Sequence, residues 1–306
     1  MMQLSITFLG TGGSWPTPER NVSSVAVKRG KEILLFDCGE GTQRQLQRSN
    51  LSYMQITKMF VSHFHGDHIL GIPGLLQTMQ LNSRKEKLDI FGPRGTKKLV
   101  EQLLSISYFE PAYEVVPHDL RDREVLKFEG YSIHVRRVMH LVPTLAYALI
   151  EDKRPGRFDK EKALELSIPE GRLFGKLQRG ESITLADGKV ILPNQVMGPA
   201  RLGRKITISG DTLPCKALVG LARKSDVLLH DATFADDFSE RANQYGHSTA
   251  KQAAMVAKAA KVERLYLVHL SPRYRTPAPL IEGARSVFEN SFVPDDLSQI
   301  EIKLKD

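Results

Sequence analysis

Cysteine is scarce in this chain of 306 residues, and no apolar run approaches the roughly 20 residues that span a bilayer. The two cysteines, Cys38 and Cys215, lie far apart without a C-x-x-C spacing, which argues against a disulfide framework and against sulfur ligation of a metal. The N-terminus lacks the basic start, long apolar stretch and cleavage site of a targeting signal. We therefore expect a cytoplasmic protein without membrane association.

Acidic residues are outnumbered, 35 against 43 basic residues, which gives a net charge of +8 and a pI near 9.4. A positive surface favours a polyanionic partner such as nucleic acid. No aromatic-rich binding signature accompanies the lysines. Charge alone therefore leaves both nucleic-acid binding and a merely solvated surface open.

Neither internal repeats nor low-complexity tracts interrupt the pattern of short strands and helices. The first half predicts strands between Gly, Pro and Asn turns, and the second half alternates strand and helix. Such a pattern predicts sheets flanked by helices, in one large two-sheet domain or in two domains. The predicted strands are 4–8, 24–28, 33–36, 56–61, 88–91, 131–139, 205–209, 226–229 and 264–268, and the predicted helices are 96–106, 216–223, 248–260 and 280–288.

Residues 151–180 have little amphipathic periodicity apart from a short predicted helix near 160–166. The segment is rich in Gly, Pro and charged residues. Long polar segments inside compact domains are either functional or mobile. We predict a projecting arm, with a tolerated surface insertion as the alternative.

The densest chemical signal is a run of three histidines and one aspartate directly after an apolar segment. Its members are His63, His65, Asp67 and His68. Imidazole and carboxylate are side chains that zinc prefers, and one short loop can present them to neighbouring ions. The run predicts a metal site, against the alternative of a polar loop that happens to hold histidines.

Three further ligand candidates each follow the C-terminal end of a predicted strand: His140, Asp211 and His269. Sites assemble at that edge of open α/β sheets, so separate segments can deliver side chains to one place. The resulting seven groups are too many for one four-coordinate zinc and enough for two if a carboxylate bridges them. Two such ions suit phosphodiester hydrolysis. His118 and His134 fall in a polar loop and inside a strand, and we assign them surface or core roles.

The pattern H-x-H-x-D-H, a later His, a Gly-Asp pair and a last His after a strand together resemble the metallo-β-lactamase fold over nearly the whole chain. The resemblance implies an α/β (α+β) domain over residues 1–306. Its architecture would be a four-layer αββα sandwich with metals at one edge of the two sheets. The implied ligands are His63, His65 and His140 for one ion, Asp67, His68 and His269 for the other, and Asp211 as the bridge.

Finer motifs resemble the ribonuclease Z family of tRNA 3′-end endonucleases. They are FLGTGG at 8–13, PTPERN at 16–21, DCGEGT at 37–42, HDAT at 230–233, HST at 247–249 and HLSPRY at 269–274. The resemblance implies a zinc-dependent endoribonuclease that removes the 3′ trailer from precursor tRNA and leaves a 3′-hydroxyl. It also implies two Zn²⁺ per subunit, with Mn²⁺ or Mg²⁺ as substitutes.

By the same resemblance Asp67 is the general acid/base, and His247 paired with Asp231 assists the leaving oxygen. The alternative for His247 is that it anchors the helix that follows. The family's usual acid in the HxAT motif is Glu, so the reach of the shorter Asp231 to His247 is an open question.

Substrate contacts are expected from Arg20, Asn21 and Thr233 by the same resemblance. Pro18 stands where a Lys is common in this loop, which removes one phosphate-directed charge. The guanidinium fork of Arg273 suits a phosphate near the cleavage site, and a structural salt bridge is the alternative.

In the family, an arm rich in Gly, Pro and basic residues grips the tRNA elbow, and residues 151–195 occupy that place here. The family is homodimeric, with the arm of one subunit serving the active site of the other. The IPEG sequence at 168–171 departs from the usual Pro-Gly-Pro turn. The expected phosphate contacts are Arg154, Arg157, Arg172, Lys176 and Arg179.

Two other functions remain open. A zinc phosphodiesterase or thioesterase acting on small molecules would need the seven ligands but neither the arm nor the basic surface. A non-catalytic RNA-binding subunit of the same fold would be expected to have lost ligands, and here none of the seven is missing.

Overall fold

The computed structural model describes residues 2–108 and 110–305. Contacts divide the chain into two compact units. One comprises the chain up to Ile150 together with Lys205–Lys303, and the other comprises Glu151–Arg204 with the C-terminal residues from Leu304. None of the helices in the described part of the chain combines the length and the apolarity that crossing a membrane requires.

The first unit contains two seven-stranded sheets. The strands of the first sheet are β1 (Leu4–Gly10), β2 (Ser24–Arg29), β3 (Glu32–Phe36), β4 (Ile56–Phe60), β5 (Leu88–Pro93), β6 (Val115–Leu120) and β16 (Gln299–Glu301). Their order is β16-β1-β2-β3-β4-β5-β6. Strands β3 to β6 are parallel, so their C-terminal ends share one edge of the sheet.

The second sheet has the order β15-β14-β13-β12-β9-β8-β7. Its strands are β7 (Val125–Phe128), β8 (Tyr131–Val138), β9 (Thr144–Glu151), β12 (Lys205–Ile208), β13 (Val227–Asp231), β14 (Arg264–Val268) and β15 (Ser291–Phe292). Strands β12 to β15 are parallel, and β9 runs antiparallel to β12. The C-terminal ends of β12, β13 and β14 therefore lie together.

Eight helices of the first unit follow or connect these strands. They are α1 (Thr42–Arg48), α2 (Gly66–Ile69), α3 (Ile72–Leu81), α4 (Thr96–Leu104), α7 (Lys216–Ala222), α8 (Ser239–Gln244), α9 (Ala250–Ala260) and α10 (Ala278–Arg285). The predicted strands and helices are present with ends shifted by a few residues at most. Helices α1, α2, α3 and α8 and strands β6, β7, β9, β15 and β16 were not predicted.

Side chains that point alternately to the two faces of each strand form three apolar clusters. Inward-facing residues of both sheets, such as Phe8, Phe60, Tyr147 and Leu229, form one buried cluster. The opposite face of the first sheet packs on α1, α3 and α4, and that of the second sheet on α7, α9 and α10. The order of layers is helix, sheet, sheet, helix, so the predicted αββα sandwich is confirmed.

The second unit has a small apolar cluster of its own, which includes Ile168, Leu177 and Ile191. Its elements are α5 (Lys160–Glu165), α6 (Arg172–Gln178) and a hairpin of β10 (Ile183–Thr184) with β11 (Val190–Ile191). A buried ion pair joins the first and last residues of the segment Glu151–Arg204, with Arg204 donating to both oxygens of Glu151 at 2.6 and 2.8 Å. The predicted arm, residues 151–195, falls within this unit.

Candidate metal centre

Four strands carry candidate ligands to one edge of the two sheets. His63 lies in the loop after β4, and α2 begins at Gly66, so Asp67 and His68 lie in its first turn. His140, Asp211 and His269 follow β8, β12 and β14. Gly210 permits the close approach of the two sheets here, because its φ is +60° and a Cβ would lie 2.9 Å from Ser62 Cβ. The structure therefore brings all seven candidates together.

The donor atoms fall into two neighbouring groups, and a third group links them. Members of each group lie within 4.8 Å of one another: His63, His65, His140 and Asp211 in the first, Asp67, His68 and His269 in the second, and Asp211, His247 and His269 in the third. His63 Nε2 is 3.0 Å from His65 Nδ1, which is 3.4 Å from His140 Nε2. Ligand atoms bound to one tetrahedral zinc lie about 3.3 Å apart, which matches these separations.

Asp211 lies where the two groups meet. Its Oδ2 is 3.6 Å from His63 Nε2, 3.4 Å from His68 Nε2 and 3.3 Å from His269 Nε2. The side chain is almost fully buried, and the surrounding imidazoles hold the pKa of this carboxyl well below its usual range although burial alone would raise it. A carboxylate in this position suits a ligand shared between neighbouring cations.

Asp67 belongs to the second group and lies in the first turn of α2. Its Oδ2 lies 3.1 Å from His269 Nε2 and accepts a 2.7 Å hydrogen bond from the backbone N–H of Ser14. Burial opposes ionisation of Asp67, but the imidazoles of His269 and His68 lower its pKa. Asp67 is therefore ionised and oriented by the loop that precedes β2.

The two ring nitrogens of His68 have different surroundings, which bears on whether these residues can bind a metal. Its Nδ1 lies 2.8 Å from Asp37 Oδ2, whereas its Nε2 is buried and has no hydrogen-bond partner among the described residues. Burial alone would lower the pKa of this ring, but the Asp211 and Asp37 carboxylates raise it; a divalent cation would replace the Nε2 proton and leave Nδ1 donating to Asp37, which is the metal-ligating form. Burial also lowers the pKa of His63 well below its usual value, which keeps that ring neutral. The donor set therefore fits a divalent metal.

Asp37 supports two of the ligand histidines and was missed as a site residue. It directly follows β3 and accepts hydrogen bonds from the Ser62 backbone N–H at 2.6 Å and from Ser62 Oγ at 2.8 Å. Ser62 Oγ in turn lies 3.0 Å from His63 Nδ1. The signal that could have identified Asp37 is its position at the start of the DCGEGT motif, directly after a predicted strand.

Asp231 organises the other side of the site. Its buried carboxylate accepts from the Thr233 hydroxyl at 2.7 Å, and Thr233 Oγ1 lies 2.9 Å from His269 Nδ1. The distance from Asp231 Oδ2 to His247 Nδ1 is 2.9 Å, so the shorter carboxylate does reach that ring. Thr233, predicted to contact substrate, is therefore placed to orient a candidate ligand.

Arg20 and Asn21 are held by the C-terminal part of the same unit. The Arg20 guanidinium donates to Thr11 Oγ1, to the Pro294 carbonyl at 2.7 Å and to Asp295 at 3.2 Å. The Asn21 backbone N–H donates to Asp296 at 2.6 Å. Their predicted substrate contact stays a prediction, and the structure assigns them a role in holding this loop.

The remaining predicted contacts are exposed or packed on aromatic rings. Arg273 lies 4.2 Å from the ring centre of Phe238 and 5.5 Å from that of Phe234. Of the basic residues predicted in the arm, Arg154 is partly buried and the others are exposed: Arg157, Arg172, Lys176 and Arg179. His118 bonds Asp89 at 2.9 Å, and neither it nor His134 belongs to a candidate metal group within the described residues.

The αββα sandwich with a histidine and aspartate cluster at one edge defines a protein of the metallo-β-lactamase fold. YhfI from Bacillus subtilis, described as a protein of that fold, has the same architecture, with a TM-score of 0.72, 18% identity and coverage of 98% of this chain and all of YhfI. Residues 4–155 also match a family model described as the anti-Pycsar protein Apyc1.

More similar relatives narrow the assignment. The chain is 48% identical to Ribonuclease Z of Methanosarcina acetivorans, over 98% of each chain. The human short-form tRNase Z structure superimposes with a TM-score of 0.72 at 28% identity, covering 98% of this chain and all of that one. The chain belongs to the ribonuclease Z family.

Proposed function

We propose that the chain is a zinc-dependent endoribonuclease that removes the 3′ trailer from precursor tRNA and leaves a 3′-hydroxyl on the tRNA. The observation that carries this proposal is the complete cluster of seven donor residues in a chain that matches Ribonuclease Z along its whole length. A cytoplasmic location agrees with that substrate.

Two zinc ions per subunit would account for the seven donors. His63, His65 and His140 would hold one ion, Asp67, His68 and His269 the other, and Asp211 both. Bound in this way, the ions would lower the pKa of water and stabilise negative charge on the phosphate. Mn²⁺ or Mg²⁺ would be substitutes.

Two side chains are placed to move protons. Asp67 remains a carboxylate at neutral pH and would accept a proton from the attacking water. Burial lowers the pKa of His247, but the Asp231 carboxylate at 2.9 Å raises it to about 9. With Nδ1 held by Asp231, protonated His247 would donate from Nε2 to the leaving oxygen.

The arm, residues 151–195, would hold the body of the tRNA. Arg157, Arg172 and Lys176 are exposed, and such side chains bind phosphate without reading sequence. In a homodimer, the arm of one subunit would serve the active site of the other. The family resemblance supports both parts of this proposal.

A precursor tRNA with a 3′ trailer, prepared with and without CCA, tests the proposal. We expect a single new 3′-hydroxyl end at the tRNA–trailer junction, and the paired substrates measure whether CCA affects the cut. Hydrolysis of a small phosphodiester without cleavage of either precursor would instead support the small-molecule phosphodiesterase.

A further inference from the structure

Trp15 is the sole tryptophan of the chain, and its side chain is 62% exposed beside the candidate metal centre. The two residues before it, Gly13 and Ser14, contact the candidate metal ligands His269 and Asp67. The Ser14 backbone N–H bonds Asp67 Oδ2 at 2.7 Å, and a Cβ on Gly13 would lie 2.4 Å from the His269 ring. Consecutive Cα atoms are about 3.8 Å apart, so the backbone of Trp15 directly follows the residue that bonds the candidate ligand Asp67.

Two loops enclose a cleft of about 460 Å³ next to this indole. One is the loop that carries Trp15, and the other directly follows His269 and contributes Tyr274 and Arg275. The Tyr274 hydroxyl accepts a 2.8 Å hydrogen bond from the Ala235 backbone, which fixes one wall. Arg275 is exposed and makes no ion pair among the residues described. Glu19 is the acidic residue of the lining.

The loop that carries Trp15 is held in place by its own hydrogen bonds. The Thr17 N–H donates to the Arg20 carbonyl at 2.8 Å, and the Arg20 N–H donates to Thr17 Oγ1 at 3.0 Å. The Trp15 N–H donates to the Gly13 carbonyl at 2.9 Å. Ligand binding therefore requires little ordering of this loop, which favours affinity.

Aromatic faces beside an unpaired guanidinium are the chemistry that binds unpaired nucleotides. Each base has a flat face that stacks on an aromatic ring, and arginine pairs with phosphate. Bases inside a duplex cannot offer that face. We infer that this cleft holds one unpaired nucleotide of the RNA beside the scissile phosphate, with its base stacked on Trp15. The inference rests on the proposed endonuclease function.

Because Trp15 is the sole tryptophan, intrinsic fluorescence reports on this position directly. Zinc-loaded wild-type protein in excess is mixed with precursor tRNA in a stopped-flow instrument, and emission is recorded before cleavage. Trailer nucleotides and the last tRNA nucleotides are replaced singly by abasic residues, and anisotropy of labelled RNA measures binding. We expect quenching by the intact precursor and its loss for one abasic position beside the cut. Binding without quenching, or equal quenching by every abasic precursor, would overturn the inference.

Substitutions provide a second measurement. Trp15→Ala is expected to raise KM for precursor tRNA about 5- to 150-fold, the range that loss of one base–aromatic stack produces, whereas Trp15→Phe should stay within about threefold of wild type. Tyr108→Ala is the matched control, since this exposed aromatic lies past the C-terminal end of α4, away from the metal edge. Equal effects of Ala and Phe at position 15 would refute stacking.

The two proposals fail in distinguishable ways. If the wild-type protein does not cut precursor tRNA at the trailer junction, the endonuclease proposal fails. Titration with a five-nucleotide single-stranded RNA then still tests the cleft, and absence of quenching refutes it. Correct cleavage with unchanged Trp15 fluorescence would instead leave the endonuclease intact and eliminate the stacking site.

Discussion

Replacing Asp231 with Asn is expected to destabilise the protein far more than its isosteric shape suggests. The Asp231 carboxylate is fully buried, and both oxygens act only as acceptors. Oδ1 accepts from the backbone and hydroxyl of Thr233 at 3.0 and 2.7 Å. Oδ2 accepts from the Thr212 backbone at 3.1 Å and from His247 at 2.9 Å, with the Ser248 N–H at 3.4 Å.

An amide cannot satisfy these donors, because one of its ends presents N–H groups. If the amide nitrogen takes the place of Oδ1, the Thr233 N–H loses its acceptor. If it takes the place of Oδ2, the Thr212 and Ser248 N–H groups lose theirs. Each buried unsatisfied donor costs about 1–3 kcal/mol, and the charge-assisted bond to His247 is weakened as well. We expect a loss of about 2–5 kcal/mol, a large part of the 5–15 kcal/mol typical of folded proteins.

Urea unfolding of Asp231→Asn and wild type, each with zinc and with chelator, measures this loss. Asp89→Asn is the matched control, because its partners His118 and Lys87 have side chains 37% and 61% exposed and can turn to water. That control should lose about 1 kcal/mol or less. Equal losses in the two variants would refute the hydrogen-bond account of Asp231.

Three further predictions concern catalysis, the arm and pH. Asp67→Ala should abolish cleavage while precursor tRNA still binds with steep salt dependence, since the phosphate contacts that set affinity lie elsewhere; retained cleavage would contradict the assignment. Deleting residues 153–179 should lower precursor cleavage at least about tenfold while a small phosphodiester is still hydrolysed, because phosphate contacts would be lost; unchanged precursor cleavage would defeat the arm proposal. Burial alone would raise the pKa of Glu32, but hydrogen bonds from Lys58 and Thr57 lower it below its usual value. The stability that Glu32 adds over Glu32→Gln, about 1 kcal/mol or less, should therefore be present at pH 7 and disappear as pH falls through that lowered pKa. Urea midpoints across pH measure it, and a pH-independent difference would contradict it.

The ligands could be predicted because their signals are local in sequence. Three histidines and an aspartate crowd one loop, and three more ligands directly follow strands whose C-terminal ends share an edge. The helix predicted at 248–260 begins at Ala250 because Thr249 caps it, accepting from the Gln252 N–H at 3.2 Å. Strand ends and the histidine-rich loop therefore predicted sheets flanked by helices and a cluster of donors at one edge, whereas the αββα sandwich was implied by the family resemblance.

Helices with unfavourable local signals were not predicted. Helix α3 opens with Ile72, Pro73 and Gly74, which suggest a turn, but proline is tolerated in a first helical turn. Helix α6 contains Gly175 and buries Leu177 in the apolar cluster of the second unit. Tertiary packing, rather than propensity, stabilises these segments.

Roles that depend on partners far away in the sequence could not be predicted either. Asp37 supports the site through Ser62, 25 positions further on, because β3 and β4 are neighbours in the first sheet. The Arg20 guanidinium finds acceptors 274 and 275 positions away, at Pro294 and Asp295. Spacing along the chain carries no information about such contacts.

Zinc titration of the metal-free protein, with cleavage of precursor tRNA as the readout, tests the central claim most directly. Seven donors that meet at Asp211 predict that trailer removal reaches its maximum only at two zinc equivalents per chain. Maximal cleavage at one equivalent or fewer would contradict the shared two-ion site, and no cleavage at any zinc level would contradict the endonuclease itself.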